Sequence, residues 1–151
     1  MNKELSLKDW NFEVNVTPDM MNAQMEIDEF LQKQSVKDTM QYITNNQDTI
    51  LQLLMKVIRD DYDEAFRLYG EDEEIPEVES DEELKELIIP IAATFHDVVK
   101  DGFNYVGFGF EASWQVEHGI GVLMHKDRVV QHGGEDHAFL EYMAEDDAKL
   151  N

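Results

Sequence analysis

The stretch NYVGFGFEASWQVEHGIGVLMHKDRVVQHGGEDH, residues 104–137, decides how this chain folds. Val106, Phe108, Phe110 and Ala112 alternate with Tyr105, Gly107, Gly109 and Glu111, the two-residue period of a strand with one bulky apolar face. The other face is nearly bare around two glycines, so another backbone, an aromatic ring or a ligand can approach it closely. GIGVLMH and RVVQH, either side of Lys126 and Asp127, predict a hairpin, and KDG at 100–102 predicts the turn before the strand.

Outward from this hairpin unit, Ile50, Leu53, Leu54, Val57, Ile58, Ala65 and Phe66 recur at spacings of three and four, which puts them on one helical stripe. The spacing predicts a long helix from about Asp48 to Tyr69, with Gly70 as a left-handed C-cap. A shorter helix over Val36 to Ile43 stops near Asn45 and Asn46. Ser80 and Glu83 have capping-box spacing and start a short helix from Asp81 to about Leu87; Pro90 stops it, and IAATF begins a strand. Near the start, Phe12, Val14 and Val16 alternate as a strand, PDMMN reads as a turn, and QMEIDEFL repeats the alternation, which predicts a first hairpin. HAFLEYM predicts a final helical turn or short helix. The expected fold is α+β: one domain over 1–151, an antiparallel sheet with the 48–69 helix packed on it, short flanking helices, and an acidic connector at 71–80.

Composition narrows the function. Thirty-four Asp and Glu against twelve Lys and Arg give a formal charge of −22, which repels nucleic acid and anionic membrane surfaces. The lack of cysteine removes disulfides and thiolate chemistry and suits a reducing compartment. With no leader-like apolar region and no uncharged run of membrane-spanning length, a cytoplasmic protein is expected. Residues 60–86 hold fourteen acids against Arg67 and Lys85, a net of −12. Such a run serves solubility, or it docks a basic partner, whose contacts would be Glu71, Asp72, Glu73, Glu74 and Glu77.

Four of the five histidines lie in 114–137, which raises the question of an active site. A two-residue turn at Lys126 and Asp127 puts His132 opposite Gly121, about 13 Å along the strand from His125, and a longer turn puts the two on opposite faces. Neither arrangement chelates a metal. HExxH, GxSxG and phosphate-loop patterns are absent, and DDYDEAFRLYGEDE has Ala65 and Phe66 where a calcium loop needs a ligand and a glycine. No metal or cofactor is expected. A structured hairpin junction is the favoured reading, with Trp114 covering the corner, Glu117 accepting hydrogen bonds from loop amides, His118 bonding a backbone carbonyl, and Gly119 and Gly121 supplying the turn geometry.

The same residues carry a resemblance. The segment resembles the signature of an uncharacterised bacterial domain family, approximately W-D-x-E-H-G-hydrophobic-G-V, a charged hairpin, then V-G-x-x-D-x-A-F. Trp114, Glu117, His118, Gly119, Gly121, Gly133, Asp136, Ala138 and Phe139 fit, whereas Gln115 stands where an aspartate is usual. The resemblance implies an α+β domain of unassigned biochemical function, some of whose relatives look like immunity proteins of bacterial toxin systems. The candidate binding residues are thus Trp114, Glu117, His118, Gly119 and Asp136. The expected function is a non-enzymatic module that binds a basic protein, an immunity-type inhibitor for instance. The alternatives are a metal-assisted or acid/base hydrolase centred on Glu117, His118 and Asp136, and a housekeeping domain whose charge serves only solubility.

Overall fold

A computed structural model describes residues 4–17, 27–70 and 75–150. Six strands form one sheet in sequence order: β1 (Glu4–Leu7), β2 (Trp10–Val16), β3 (Ile88–Lys100), β4 (Phe103–Ala112), β5 (Ile120–His125) and β6 (Arg128–Gly133). Neighbours pair antiparallel except β2 and β3, which run parallel with Val14 opposite Ala93. A parallel pair requires a long crossover, and here it holds the helices α1 (Ile27–Leu31), α2 (Gln34–Asn45), α3 (Gln47–Tyr69) and α4 (Asp81–Lys85). The α+β arrangement with one long helix and shorter flanking ones is as expected, with a mixed rather than wholly antiparallel sheet.

The first hairpin differs from expectation. β2 pairs with β1 through a turn at Lys8 and Asp9, and residues 27–31, read as strand, are helical. The expected turn at 18–22 and the start of QMEIDEFL lie outside the described residues. Phe30 and Leu31, which break the alternation, are the helical signal within that segment, and Phe30 is buried in the core. β3 also begins before Pro90, the proline being accommodated where the β3–β4 register shifts between Pro90 and Ala92.

One sheet face carries the main core, in which Phe12, Phe108 and Phe110 meet edge to face at centroid distances of 5.2 and 5.5 Å. Ile50, Leu54, Ile58 and Tyr62 of α3 are buried in the same cluster. Phe66 is 37% exposed instead, stacked on the buried Tyr62 one turn earlier. Gly70 is right-handed (φ −56°, ψ −37°) and donates its N–H to the Phe66 carbonyl, so it prolongs the helix rather than closing it in the left-handed region. At α4 the Ser80 hydroxyl accepts the Glu83 N–H at 3.2 Å, while the Glu83 carboxylate accepts the N–H of Glu79, one residue before the expected partner. Ser80→Ala is expected to cost about 1 kcal/mol, read as a lower urea midpoint with an unchanged slope.

The second face answers what approaches the glycines. Gly109, Gly121 and Gly133 stand opposite one another across β4, β5 and β6, forming a row without side chains. A 3-10 turn, Glu135–Ala138, lies directly on it, followed by α5 (Glu141–Ala148) over Tyr105 and Leu123. A Cβ on Gly107 would sit 1.8 Å from the Ala138 carbonyl oxygen, and one on Gly121 would sit 2.5 Å from that of Gly134. The occupant of the bare face is therefore the chain's own segment 134–138. His96, fully buried, fastens it: Nε2 lies 2.9 Å from the Ala138 carbonyl and Nδ1 lies 3.0 Å from Thr17 Oγ1. A carbonyl only accepts, so Nε2 carries the proton and Nδ1 accepts from the threonine hydroxyl. Burial holds the ring below the usual histidine pKa.

Candidate functional site

The β4–β5 junction, residues 113–119, is held by main-chain bonds. Ser113 N–H donates to Leu87 O (2.9 Å), Gln115 N–H to Ala112 O (3.0 Å), Gly119 N–H to Gln115 O (2.7 Å) and Glu135 N–H to His118 O (2.6 Å). Gly119 has φ +61°, and a Cβ there would lie 2.6 Å from Phe110 O, so the turn requires glycine. His118 does tie the loop down, but through its carbonyl accepting the Glu135 N–H rather than through its imidazole. Glu117 and His118 are both exposed, and neither side chain bonds a loop amide or carbonyl among the described residues.

Trp114 is buried against the helix layer. Its indole N–H donates to Asp61 Oδ2 at 2.7 Å, and its ring meets Tyr62 edge to face at 5.3 Å. Burial raises the Asp61 carboxyl above its usual pKa, and the indole hydrogen bond partly offsets that rise. Tyr62 in turn donates its hydroxyl to the Pro76 carbonyl and accepts the Val78 N–H at 3.0 Å, tying the end of the acidic connector to α3.

A cleft of about 580 Å³ lies between this junction and the connector. Ile75, Pro76, Leu87, Trp114 and Val116 make its apolar lining, with Glu117 and His118 beside them; no Lys or Arg lines it among the described residues. Val116 projects with 84% of its surface exposed. Trp114, Glu117 and His118 thus come together, whereas Gly119 and Asp136 are not in the lining. Asp136 lies beyond Gly134, paired at 3.1 Å with His137 Nδ1. Of the acidic contacts inferred from sequence, Glu77 is exposed immediately after Pro76, and Glu71, Asp72, Glu73 and Glu74 lie outside the described residues.

The remaining histidines are apart. His125 is buried, its Nε2 2.8 Å from the Lys100 carbonyl and its ring 4.5 Å from that of Tyr105. His132 stands opposite Val122 rather than Gly121, on the other face of the sheet from His125, because the register shifts between Leu123 and Met124 while the two-residue turn is kept. Among the described residues no three His, Asp or Glu side chains are placed to hold a metal ion, and no helix is long and apolar enough to cross a membrane. Glu135, beside Gly119, has its carboxyl pKa raised by burial and then by the nearby Glu111 charge. Sequence reasoning missed Asp61, His96, Ile75 and Leu87 at these sites, since nothing local to them signals a partner so distant along the chain.

A model of the family described as a domain of unknown function, DUF6985, matches residues 2–140, and the chain belongs to that family. No curated protein and no solved structure matches it at a significant level.

Proposed function

We propose that this family member is a protein-binding module without catalytic chemistry of its own, which docks a basic partner as an immunity-type inhibitor docks a toxin. The supporting observation is the cleft at the β4–β5 junction. Interface centres are apolar and depleted of charge, and the surrounding charge selects the partner and speeds encounter. Here Val116 is an exposed apolar anchor on a loop whose main chain is already bonded in place, so little ordering entropy opposes binding. The cleft adjoins the connector, in a chain of formal charge −22, and that field favours a cationic surface.

The test is retention from host lysate on immobilised protein at low and high salt, with mass spectrometry of what elutes. A stoichiometric basic protein is expected, released by salt. Val116→Asp should weaken its binding at least tenfold, and joint replacement of Glu71, Asp72, Glu73, Glu74 and Glu77 by lysine should abolish the salt-sensitive retention. Absence of a stoichiometric partner, or a partner held equally by wild type and V116D, would overturn the proposal.

A further inference from the structure

A small pocket lies in the core between α2 and β4, where Thr39, Tyr42 and Ile43 face Asn104, Val106 and Phe108. Its volume is about 10 Å³, and a single internal water needs roughly 10–15 Å³. Asn104, 1% exposed, lines it from the sheet. The β3–β4 register shifts here, so that His96, Asp97 and Val98 stand opposite Tyr105 alone. The Asn104 amide fills in at this irregularity: Nδ2 donates to the His96 carbonyl at 2.8 Å, while the main-chain N–H donates to Thr39 Oγ1 at 2.8 Å. The Thr39 hydroxyl donates in turn to the Ser35 carbonyl at 2.6 Å. With the bond from His96 to Ala138, a polar seam runs from the 135–138 turn through the sheet to α2.

One acceptor in that seam is left over. Asn104 Oδ1 is buried and receives no hydrogen bond among the described residues. Turning the amide round does not serve it, since Oδ1 would then face the His96 carbonyl, acceptor against acceptor. The donors around the pocket are committed elsewhere: the Thr39 hydroxyl to Ser35, the Tyr42 hydroxyl to the Asp127 carboxylate, and the Lys126 ammonium to the face of Phe103, 4.7 Å from its centroid. Buried amide oxygens are paired in native proteins, by internal water where no protein donor reaches them. Thr39 Oγ1 offers a second acceptor, because the Asn104 N–H takes one of its two lone pairs and leaves the other.

We propose that this pocket is a binding site for one internal water, which donates to Asn104 Oδ1 and to Thr39 Oγ1 and so bridges β4 to α2. The test is a crystal structure of the full chain at a resolution that orders solvent, joined to water-selective NOE and ROE spectra of the isotope-labelled chain in solution. A solvent peak within about 3.2 Å of Asn104 Oδ1 is expected. The spectra should show cross-peaks of opposite sign from water to the methyl protons of Ile43 and Val106, the pattern of a water held for nanoseconds or longer. Asn104→Leu leaves the Thr39 and Tyr42 hydroxyls in place, and should lose these cross-peaks while its amide spectrum stays dispersed. If that variant does not fold, the wild-type crystal decides. A pocket without solvent density, an Oδ1 that accepts from a protein group, or cross-peaks that survive in N104L through the exchanging hydroxyls would each sink the proposal.

Discussion

Replacing Gly107 by valine is expected to lower stability by about 3 kcal/mol or more, by combining overpacking with the loss of a buried hydrogen bond. A Cβ there would overlap the Ala138 main chain, with the carbonyl carbon at 2.4 Å and the Cα at 2.5 Å, and backbone cannot rotate away as a side chain can. The 135–138 turn must lift, and His96 Nε2 then loses the Ala138 carbonyl. Gly109, on the same strand face, is the internal control: its added Cβ would meet side chains and no backbone, the flexible Glu135 chain at 3.3 Å and the Ala138 Cβ at an ordinary 3.8 Å. Gly109→Ala should therefore cost no more than about 1 kcal/mol, the scale of an average single substitution. Urea denaturation of both variants checks this. Equal effects at the two positions would mean that the 135–138 segment does not rest on the sheet as described.

The second large effect is expected at His96. His96→Gln should cost about 2 kcal/mol at pH 7.5, because the two ring hydrogen bonds are not both recovered in a buried site. It should also flatten the pH dependence of stability. The folded-state pKa of His96 lies below its ordinary value of 6.5. As pH falls below 6.5 the unfolded chain takes up a proton that the native ring refuses, so stability is lost on acidification until the folded pKa is reached. One such group contributes a slope of at most about 1.4 kcal/mol per pH unit. Asp61 and Glu135 act in the opposite sense, since their raised folded pKa values let the native state bind protons first. Urea midpoints at pH 7.5, 6.5 and 5.5 for wild type and variant separate these terms. Identical slopes would exclude His96 as the buried neutral group.

How far the site was legible depends on how local its signal was. The alternation of Val106, Phe108 and Phe110 against Gly107 and Gly109 announced a face left open for close approach, and that face exists. What covers it is Ala138 and its neighbours, about thirty residues further on. Alanine and a short polar turn carry no periodic signal for where they pack. The hairpin turn at Lys126 and Asp127 was legible, yet His132 changed face because a register shift inside the hairpin depends on how both strands settle on their neighbours. Trp114 was identified as a key residue of the junction, but its partner Asp61 looked like one more acid in a charged run.

By itself the sequence determined the period of each long element, the acidity, the lack of cysteine and the α+β class, because these follow from side chains a few positions apart. The tertiary structure alone decided that β2 pairs with β1 and runs parallel to β3, and that QMEIDEFL ends in a helix. It also decided that the chain's own tail fills the glycine face, and that Trp114, Val116 and Ile75 share one cleft. These outcomes depend on which buried surfaces and hydrogen-bonding groups find each other across long separations. That choice is made by the packing of the whole chain and is not encoded in any single window of it.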